Sequence, residues 1–201
     1  MAETDREALA GALADLEPIY GRWLADPDTT VEPYPTPFFK RFRIYRVVYR
    51  APHDPVGLYA AWAPGEPAYV LSDEPQNFVM AAVADPVALS GPAEAVAYVR
   101  AYLETTRSLR ELFYLVDSVE AVRYYPNPDS AEQQRIAEFK AKYAGIIAPP
   151  AAQADEDGWQ VTAYALREQA LERLALRVTP FGALSLEGQV LEGGLPVVFG
   201  G

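Results

Sequence analysis

The side chains that could do chemistry in this sequence are carboxylates, tyrosine hydroxyls and a single imidazole. Histidine occurs once, at His53, and cysteine is absent from the 201 residues. An imidazole titrates at about pH 6.5, so it can act as a general base at neutral pH. His53 nevertheless lies between two prolines in Pro52-His53-Asp54-Pro55, a pattern that predicts an exposed turn in which the imidazole hydrogen-bonds Asp54. Catalysis by His53 therefore requires that this turn lines a cleft.

Carboxylates next to apolar segments form the second group of candidates. Asp117 follows the apolar run 112–116, Glu104 lies on a predicted helix, and Glu187 lies on the last predicted strand. Two carboxylates with different pKa values can divide the roles of acid and base between them. A carboxylate beside buried residues also often pairs with arginine at the edge of a sheet. We retain Asp117 and Glu104, together with His53, as the catalytic candidates.

Aromatic side chains offer the walls of a binding pocket. The sequence contains 13 tyrosines and three tryptophans. Tyrosine combines an apolar ring with a polar tip, which suits pocket walls and interfaces, and suits ordinary cores nearly as well. The candidate ligand-binding residues are aromatic side chains on the central predicted helix and the later predicted strands: Tyr98, Tyr102, Tyr114, Trp159 and Tyr164.

Motifs for most other chemistries are missing from the sequence. It contains no phosphate-binding GxxxxGK[ST] loop, no GxGxxG and no GxSxG. With one histidine and no cysteine, a transition-metal site of the common kind is not expected. Asp155, Glu156 and Asp157 are consecutive acids that lack the spacing of a cation-binding loop, so we interpret them as a solvated loop. The sequence therefore predicts neither a metal nor another cofactor.

The charge of the chain disfavours polyanionic partners. Its 28 acidic and 17 basic residues give a net charge of −11, which repels nucleic acid and anionic membranes at long range. The exception is the segment 38–50, in which five cations are interleaved with aromatic residues and no acid occurs. Such a pattern is typical of surfaces that bind single-stranded nucleic acid. We favour a strand whose cations neutralise the acidic segments around it, because five cations in so acidic a chain attract a polyanion weakly.

The sequence also predicts a cytoplasmic protein with no membrane partner. Its longest apolar run, residues 78–84, is far too short to span a bilayer. The first five residues include two acids and no base, whereas a secretory signal begins with basic residues and continues with an apolar stretch.

Hydrophobic periodicity and capping residues predict three helices that would position these candidates. Residues 4–24 read as an amphipathic helix that Pro18 interrupts near Glu17. A second helix begins at Gly91-Pro92, and a third begins at Ser130 and ends at Gly145. The segment 73–85 is ambiguous between a short helix and a buried strand. Residues 26–37 are rich in proline and acid, and favour an extended connector.

Most of the remaining chain predicts strands. The expected strands cover residues 38–50, 56–63, 68–71, 112–116, 121–125 and 183–191, with an acidic loop at 148–158. The segment 165–176 is contested, because its composition favours a helix while its alternation favours strands. We favour a hairpin that turns near Glu168-Gln169. In the tail, residues 195–198 are expected to dock on the body.

Together these elements predict an α+β fold with six to nine mostly antiparallel strands in one curved sheet and helices packed on one face. The order is compatible with the cone-like architecture of cystatin-like and NTF2-like folds, a comparison that licenses no function. We expect residues 1–37 to form an N-terminal kinked helix with a proline-rich connector, and residues 38–201 to form a single α+β domain.

The functional hypothesis that follows is a non-catalytic domain that binds a small apolar molecule or a protein partner, with a homodimer formed through the open face of the sheet. The alternative is a small cofactor-independent acid/base enzyme, of the lyase, isomerase or cyclase type, that uses carboxylate and tyrosine groups in an apolar pocket. Single-stranded nucleic-acid binding by residues 38–50 is the third hypothesis.

Overall fold

The computed structural model describes residues 3–50 and 55–198, and the turn that carries His53 therefore lies outside the described residues. In chain order, the helices are α1 (Glu3–Ala14), α2 (Pro18–Ala25), α3 (Pro75–Ala84), α4 (Pro92–Thr105) and α5 (Ser130–Tyr143). The strands are β1 (Thr30–Tyr34), β2 (Arg43–Arg50), β3 (Pro55–Trp62), β4 (Tyr69–Val70), β5 (Phe113–Leu115), β6 (Ala151–Asp155), β7 (Gly158–Arg167), β8 (Ala170–Val178) and β9 (Leu184–Glu192).

The fold class is α+β, and the strand pairing is antiparallel throughout the described chain, as predicted. The strands form two sheets, whereas the sequence predicted one. The first sheet has the order β1-β2-β3-β4, and the second has the order β5-β7-β8-β9 with β6 also paired to β7.

Two compact units divide the chain. Unit 1 comprises Met1–Leu89 and Ala101–Leu109, and unit 2 comprises Ser90–Arg100 and Arg110–Gly201. The first sheet therefore belongs to unit 1 and the second to unit 2. The predicted division at residue 37 stays a prediction.

In unit 1, the predicted break in the N-terminal helix is confirmed. Pro18 is the first residue of α2 and therefore loses no helical hydrogen bond there. Leu9, Leu13 and Leu24 are buried against the first sheet. The proline-rich connector contains a strand that the sequence analysis missed, because β1 pairs with β2 from Thr30 to Tyr34. Since β1 is at the edge of its sheet, the missing N–H of Pro33 is tolerated.

The strand predicted at 38–50 is shorter than expected and begins at Arg43. The reason is a buried carboxylate: Asp85 accepts backbone hydrogen bonds from Arg41 at 2.6 Å and Phe42 at 2.9 Å. These amides bind a side chain instead of a neighbouring strand. The ambiguous segment 73–85 forms helix α3, whose buried Phe78 packs against the Phe38 and Phe39 rings.

In unit 2, the contested segment forms the predicted hairpin. β7 and β8 pair from Trp159–Val178 to Arg167–Ala170, and Glu168 adopts a positive φ of 52° in the two-residue turn. Along β8, Leu174, Leu176 and Val178 are buried while the residues between them are more exposed. The alternation therefore predicted the structure correctly, because burial of one sheet face outweighs the small differences in helix propensity.

Two other expectations for unit 2 are wrong. The acidic loop at 148–158 contains β6, which pairs with β7, and the strand expected at 121–125 is replaced by a 3-10 helix at Val119–Ala121 and a single bridge from Tyr124 to Val197. The docking of the tail is confirmed. Its residues join a core cluster whose members are Val116, Val119, Val122, Phe139, Tyr143, Ile147, Leu166, Leu171, Leu195 and Val197.

Candidate ligand-binding pocket

Two hairpin turns meet at one end of the second sheet, in unit 2. The first connects β6 to β7 and the second connects β8 to β9. The register places them side by side, because Trp159 at the start of β7 pairs with Val178 at the end of β8, and Val178 pairs with Leu184 at the start of β9.

Gly158 allows the first turn to approach β8 closely. Its φ is +152°, and a Cβ at this position would lie 2.3 Å from the Val178 carbonyl oxygen and 2.9 Å from Thr179 Cα. Both neighbours are backbone atoms, which a side-chain rotation cannot move away. Only glycine therefore fits here without distorting β8.

The second turn is held by backbone hydrogen bonds, by the Thr179 hydroxyl and by the hydroxyl of Tyr98. The Thr179 amide donates to the Ala183 carbonyl at 2.9 Å, and the Ala183 amide donates to Thr179 Oγ1 at 3.1 Å. The hydroxyl of Tyr98, on α4, donates to the Gly182 carbonyl at 2.8 Å. The Tyr98 side chain is fully buried. Tyr98 therefore positions the turn instead of offering a free hydroxyl to a ligand.

Between the two turns lies an open pocket of about 260 Å³. Trp159 is half-buried and provides its aromatic wall, while Val178 and Leu184 add apolar surface. Thr179 and Ser185 provide hydroxyl groups. The charged groups at its rim are Asp155, Asp157 and Arg177.

The charged rim of this pocket is net negative. Arg177 Nε lies 3.9 Å from Asp155 Oδ2, and both side chains are largely solvent-exposed, so the pair is weak. With Asp157, the rim carries two carboxylates and one guanidinium, a net charge of −1. A cation near the face of Trp159 would gain both carboxylate attraction and cation–π attraction.

A second groove of about 520 Å³ runs along α5 in the same unit. Its polar groups already bind one another: Arg135 donates to the Gly193 carbonyl at 2.6 Å, and Lys142 Nζ lies 2.7 Å from Glu192 Oε2. A ligand would have to replace these contacts. We therefore regard the pocket at Trp159 as the stronger candidate site.

The five aromatic residues singled out in the sequence do not line one pocket. Trp159 lines the pocket and Tyr98 holds its second turn, as described above. Tyr114, on β5, accepts a hydrogen bond from the Arg123 amide at 3.0 Å, and burial raises the pKa of its hydroxyl. Tyr164 packs at the edge of the unit 2 core. Tyr102 belongs to unit 1, where its ring meets Phe78 edge-on at 5.5 Å.

Both catalytic candidates within the described residues have structural partners. The two carboxylate oxygens of Asp117 accept hydrogen bonds from Arg100 Nη2, at 3.0 Å for Oδ1 and 3.2 Å for Oδ2. Glu104 accepts a hydrogen bond of 2.6 Å from the Tyr34 hydroxyl. A general acid at neutral pH needs a raised pKa. The described carboxylates with displaced pKa values are instead shifted downwards. Hydrogen-bond donors lower the pKa values of Glu94, Glu120 and Glu192. At Asp85, burial raises the pKa, but hydrogen bonds from backbone amides lower it by more.

Most of the polar lining of the pocket was not predicted from the sequence. Thr179, Ser185 and Arg177 were not singled out, and Asp155 and Asp157 were interpreted as solvated. The alternation of β8 predicts that Arg177 lies on the polar face. Its proximity to Asp155 follows only from the register of β6, β7 and β8, which no single segment encodes.

Comparisons of the chain with family models, curated proteins and solved structures found no match. Among the residues that the model describes, no helix is both long and apolar enough to cross a membrane. The same residues contain no group of three or more histidine, cysteine, aspartate or glutamate side chains that could hold a metal ion.

Proposed function

We propose that this protein is a non-catalytic binding protein that holds a small organic cation in the pocket at Trp159. The observation that carries the proposal is a half-buried indole set between two turns, one fixed by Gly158 and the other by Tyr98. Such preorganisation lowers the entropy cost of binding, because the walls are ordered before the ligand arrives.

The composition of the pocket narrows the ligand class. Its volume of about 260 Å³ is at the small end of ligand sites, so a single aromatic or alicyclic ring with one polar group fits best. The sequence alone predicted an apolar ligand. The net negative charge of the rim indicates that the ligand also carries a positive charge. The net charge of −11 also raises the local concentration of cations around the protein.

Titration followed by amide NMR tests the proposal with two compounds that differ in charge. 2-Phenylethylamine is expected to shift the amides of residues 155–159 and 177–185, with a dissociation constant on the order of millimolar. 3-Phenylpropionate carries a similar ring with a carboxylate, and should bind at least about fivefold more weakly because the rim repels it.

Three variants separate specific recognition in the pocket from non-specific binding elsewhere. Trp159→Ala should abolish the shifts, whereas Trp23→Ala should leave them unchanged, since Trp23 stacks on Tyr49 in unit 1. Asp155→Asn combined with Asp157→Asn should remove the preference for the amine. Equal binding of the two compounds, or shifts that survive in Trp159→Ala, would contradict the proposal.

A protein-assembly role is the second candidate, and the exposed edge of the second sheet favours it. The cytoplasmic location stays a prediction.

A further inference from the structure

Strand β9 is a long edge strand that faces solvent. It pairs with β8 on one side, and the described residues provide no strand on its other side. Residues 185–190 are all exposed, including Leu186 at 41% and Val190 at 61%. An edge strand presents a row of unpaired N–H and C=O groups, which is a template for pairing with another strand.

The other edge strands of the two sheets are shorter or protected. β1 has five residues and contains Pro33, β4 has two residues, β5 has three, and β6, which pairs only with β7, has five. β9 has nine residues and contains no proline, lysine or arginine. Short length, proline, charged side chains and bulges are the usual means by which edges avoid self-association. Residues 184–190 of β9 have one charged side chain, Glu187, and the irregularity in the β8–β9 pairing lies beyond them, at Leu191.

We propose that two copies of this chain associate by antiparallel pairing of β9 with β9, which joins their second sheets into one continuous sheet. The geometry limits the registers available. Only every second residue of β9 turns its N–H and C=O away from β8, so in a symmetric pair the two facing residues must have the same parity. One residue must therefore lie directly opposite its own copy, and the two-fold axis passes midway between the two.

A register centred on Gly188 fits the side chains of β9. It places Leu186 opposite the partner's Val190, and Glu187 opposite the partner's Gln189, while Gly188 faces itself. A register centred on Glu187 would place two carboxylates directly opposite each other, which is destabilising. The full strand, Leu184–Glu192, is also centred on Gly188. At its end, the Leu191 carbonyl already accepts a hydrogen bond of 2.9 Å from the Tyr143 hydroxyl.

The pairing would extend an apolar layer that already exists in each copy. Within the second sheet, Leu186 pairs with Leu176, and Gly188 pairs with Leu174. Directly paired residues share a face of the sheet, and both of these β8 leucines are buried. Leu186 and Val190 therefore lie at the margin of this apolar face, and a second copy would cover part of their exposed surface. The inference does not depend on the ligand proposed for the pocket.

Sedimentation and light scattering test the association directly. Because both copies are acidic, the measurement is made in at least about 0.15 M salt, where repulsion beyond about 8 Å is screened. We expect a species of twice the 22.1 kDa chain mass that dissociates on dilution. Leu186→Lys combined with Val190→Lys places like charges opposite each other and should raise the dissociation constant at least about tenfold.

Replacing Val190 by glutamate in place of lysine provides the matched control. Leu186→Lys with Val190→Glu creates opposite charges across the two-fold axis and should dimerise more tightly than the double-lysine variant. Both positions are exposed, so unfolding of the monomer is not expected, and circular dichroism checks it for each variant.

Single cysteines test the register, since the natural chain contains none. Gly188→Cys should form an interchain disulfide under mild oxidation. Its Cβ would lie 3.5 Å from Leu174 Cδ2, an ordinary contact. Glu187→Cys and Gln189→Cys should crosslink at least about tenfold more slowly, because each faces a different residue and its own copy lies diagonally across the pair.

The two sets of experiments can each overturn the inference. A chain that remains at 22.1 kDa at the highest soluble concentration contradicts the association. Equal crosslinking at residues 187, 188 and 189, or a dimer that is insensitive to the double-lysine change, contradicts pairing through β9. Ligand binding by a protein that stays monomeric would leave the proposed function intact and overturn only this inference.

Discussion

Asp85 and Asp117 show how differently two carboxylates of one chain are used. Asp85 is buried, and its carboxylate accepts backbone amides of the segment before β2. Arg41, whose Nε lies 3.8 Å from Asp85 Oδ1, is also bound to Glu66 and to the Ala84 carbonyl. Asp117 is about half exposed and binds one arginine. Asp117 is a candidate from the sequence and Asp85 is not, because burial of a carboxylate depends on which distant segment covers it.

We expect Asp85→Ala to lower the free energy of unfolding by about 2 to 4 kcal/mol, since buried amides would lose a charged acceptor. The matched change Asp117→Ala should cost less than about 1 kcal/mol, as is typical of exposed ion pairs. Urea denaturation at neutral pH measures both. Equal losses for the two variants would refute the structural role given to Asp85.

The contribution of Asp85 should also depend on pH. Burial favours the neutral acid, but the backbone donors and Arg41 hold the pKa of Asp85 below its usual value. The folded protein therefore binds this proton less readily than the unfolded chain, so the stabilisation is present above about pH 4 and is lost as pH falls through the folded pKa. The difference in stability between wild type and Asp85→Asn should accordingly shrink below about pH 4. A difference that grows on acidification would contradict this assignment.

At the scale of elements, the hairpin of β7 and β8 illustrates which local signals are reliable. Alternation of apolar and polar residues over 165–176 predicted the hairpin, against a helix-favouring composition. The 38–42 segment and β6 were predicted wrongly for a different reason. In each, the outcome depends on a partner distant in sequence, which is Asp85 for the first and the start of β7 for the second.

The glycines of this sheet provide an element-scale prediction. Gly158→Ala should lower the free energy of unfolding by about 2 to 4 kcal/mol, because the new Cβ meets the backbone of β8 and the positive φ disfavours alanine. Gly188→Ala, in the same sheet, meets only a leucine methyl at 3.5 Å and should be neutral or slightly stabilising. Thermal unfolding compares them. Similar midpoints for the two variants would show that the close approach of β7 and β8 is not required.

At the scale of the whole molecule, charge is the strongest constraint on partners. The basic segment 38–50 is partly neutralised where it lies, since Arg41 binds Glu66 and Arg46 lies 3.7 Å from Glu32. Its remaining exposed cations belong to a chain with a net charge of −11. The acidic surroundings therefore oppose the attraction of a polyanion to this segment.

We expect filter binding to show no retention of oligo(dT) at about 20 mM or at about 200 mM salt. The result would agree with the interpretation of residues 38–50 as a locally neutralised segment. Retention at low salt that disappears at high salt would restore the nucleic-acid hypothesis, and Arg43→Glu would then test whether this segment carries it.

The sequence alone predicts the α+β class, the break at Pro18 and the β7–β8 hairpin, because each follows from residue type or from a short periodic pattern. It also drew attention to Trp159. Three features emerge only in the folded chain: the strands form two sheets, Tyr98 holds a turn, and Arg177 lies beside Asp155. These facts depend on register and on contacts between residues far apart in the chain, and such contacts are fixed by the simultaneous burial of many side chains, which no single segment specifies.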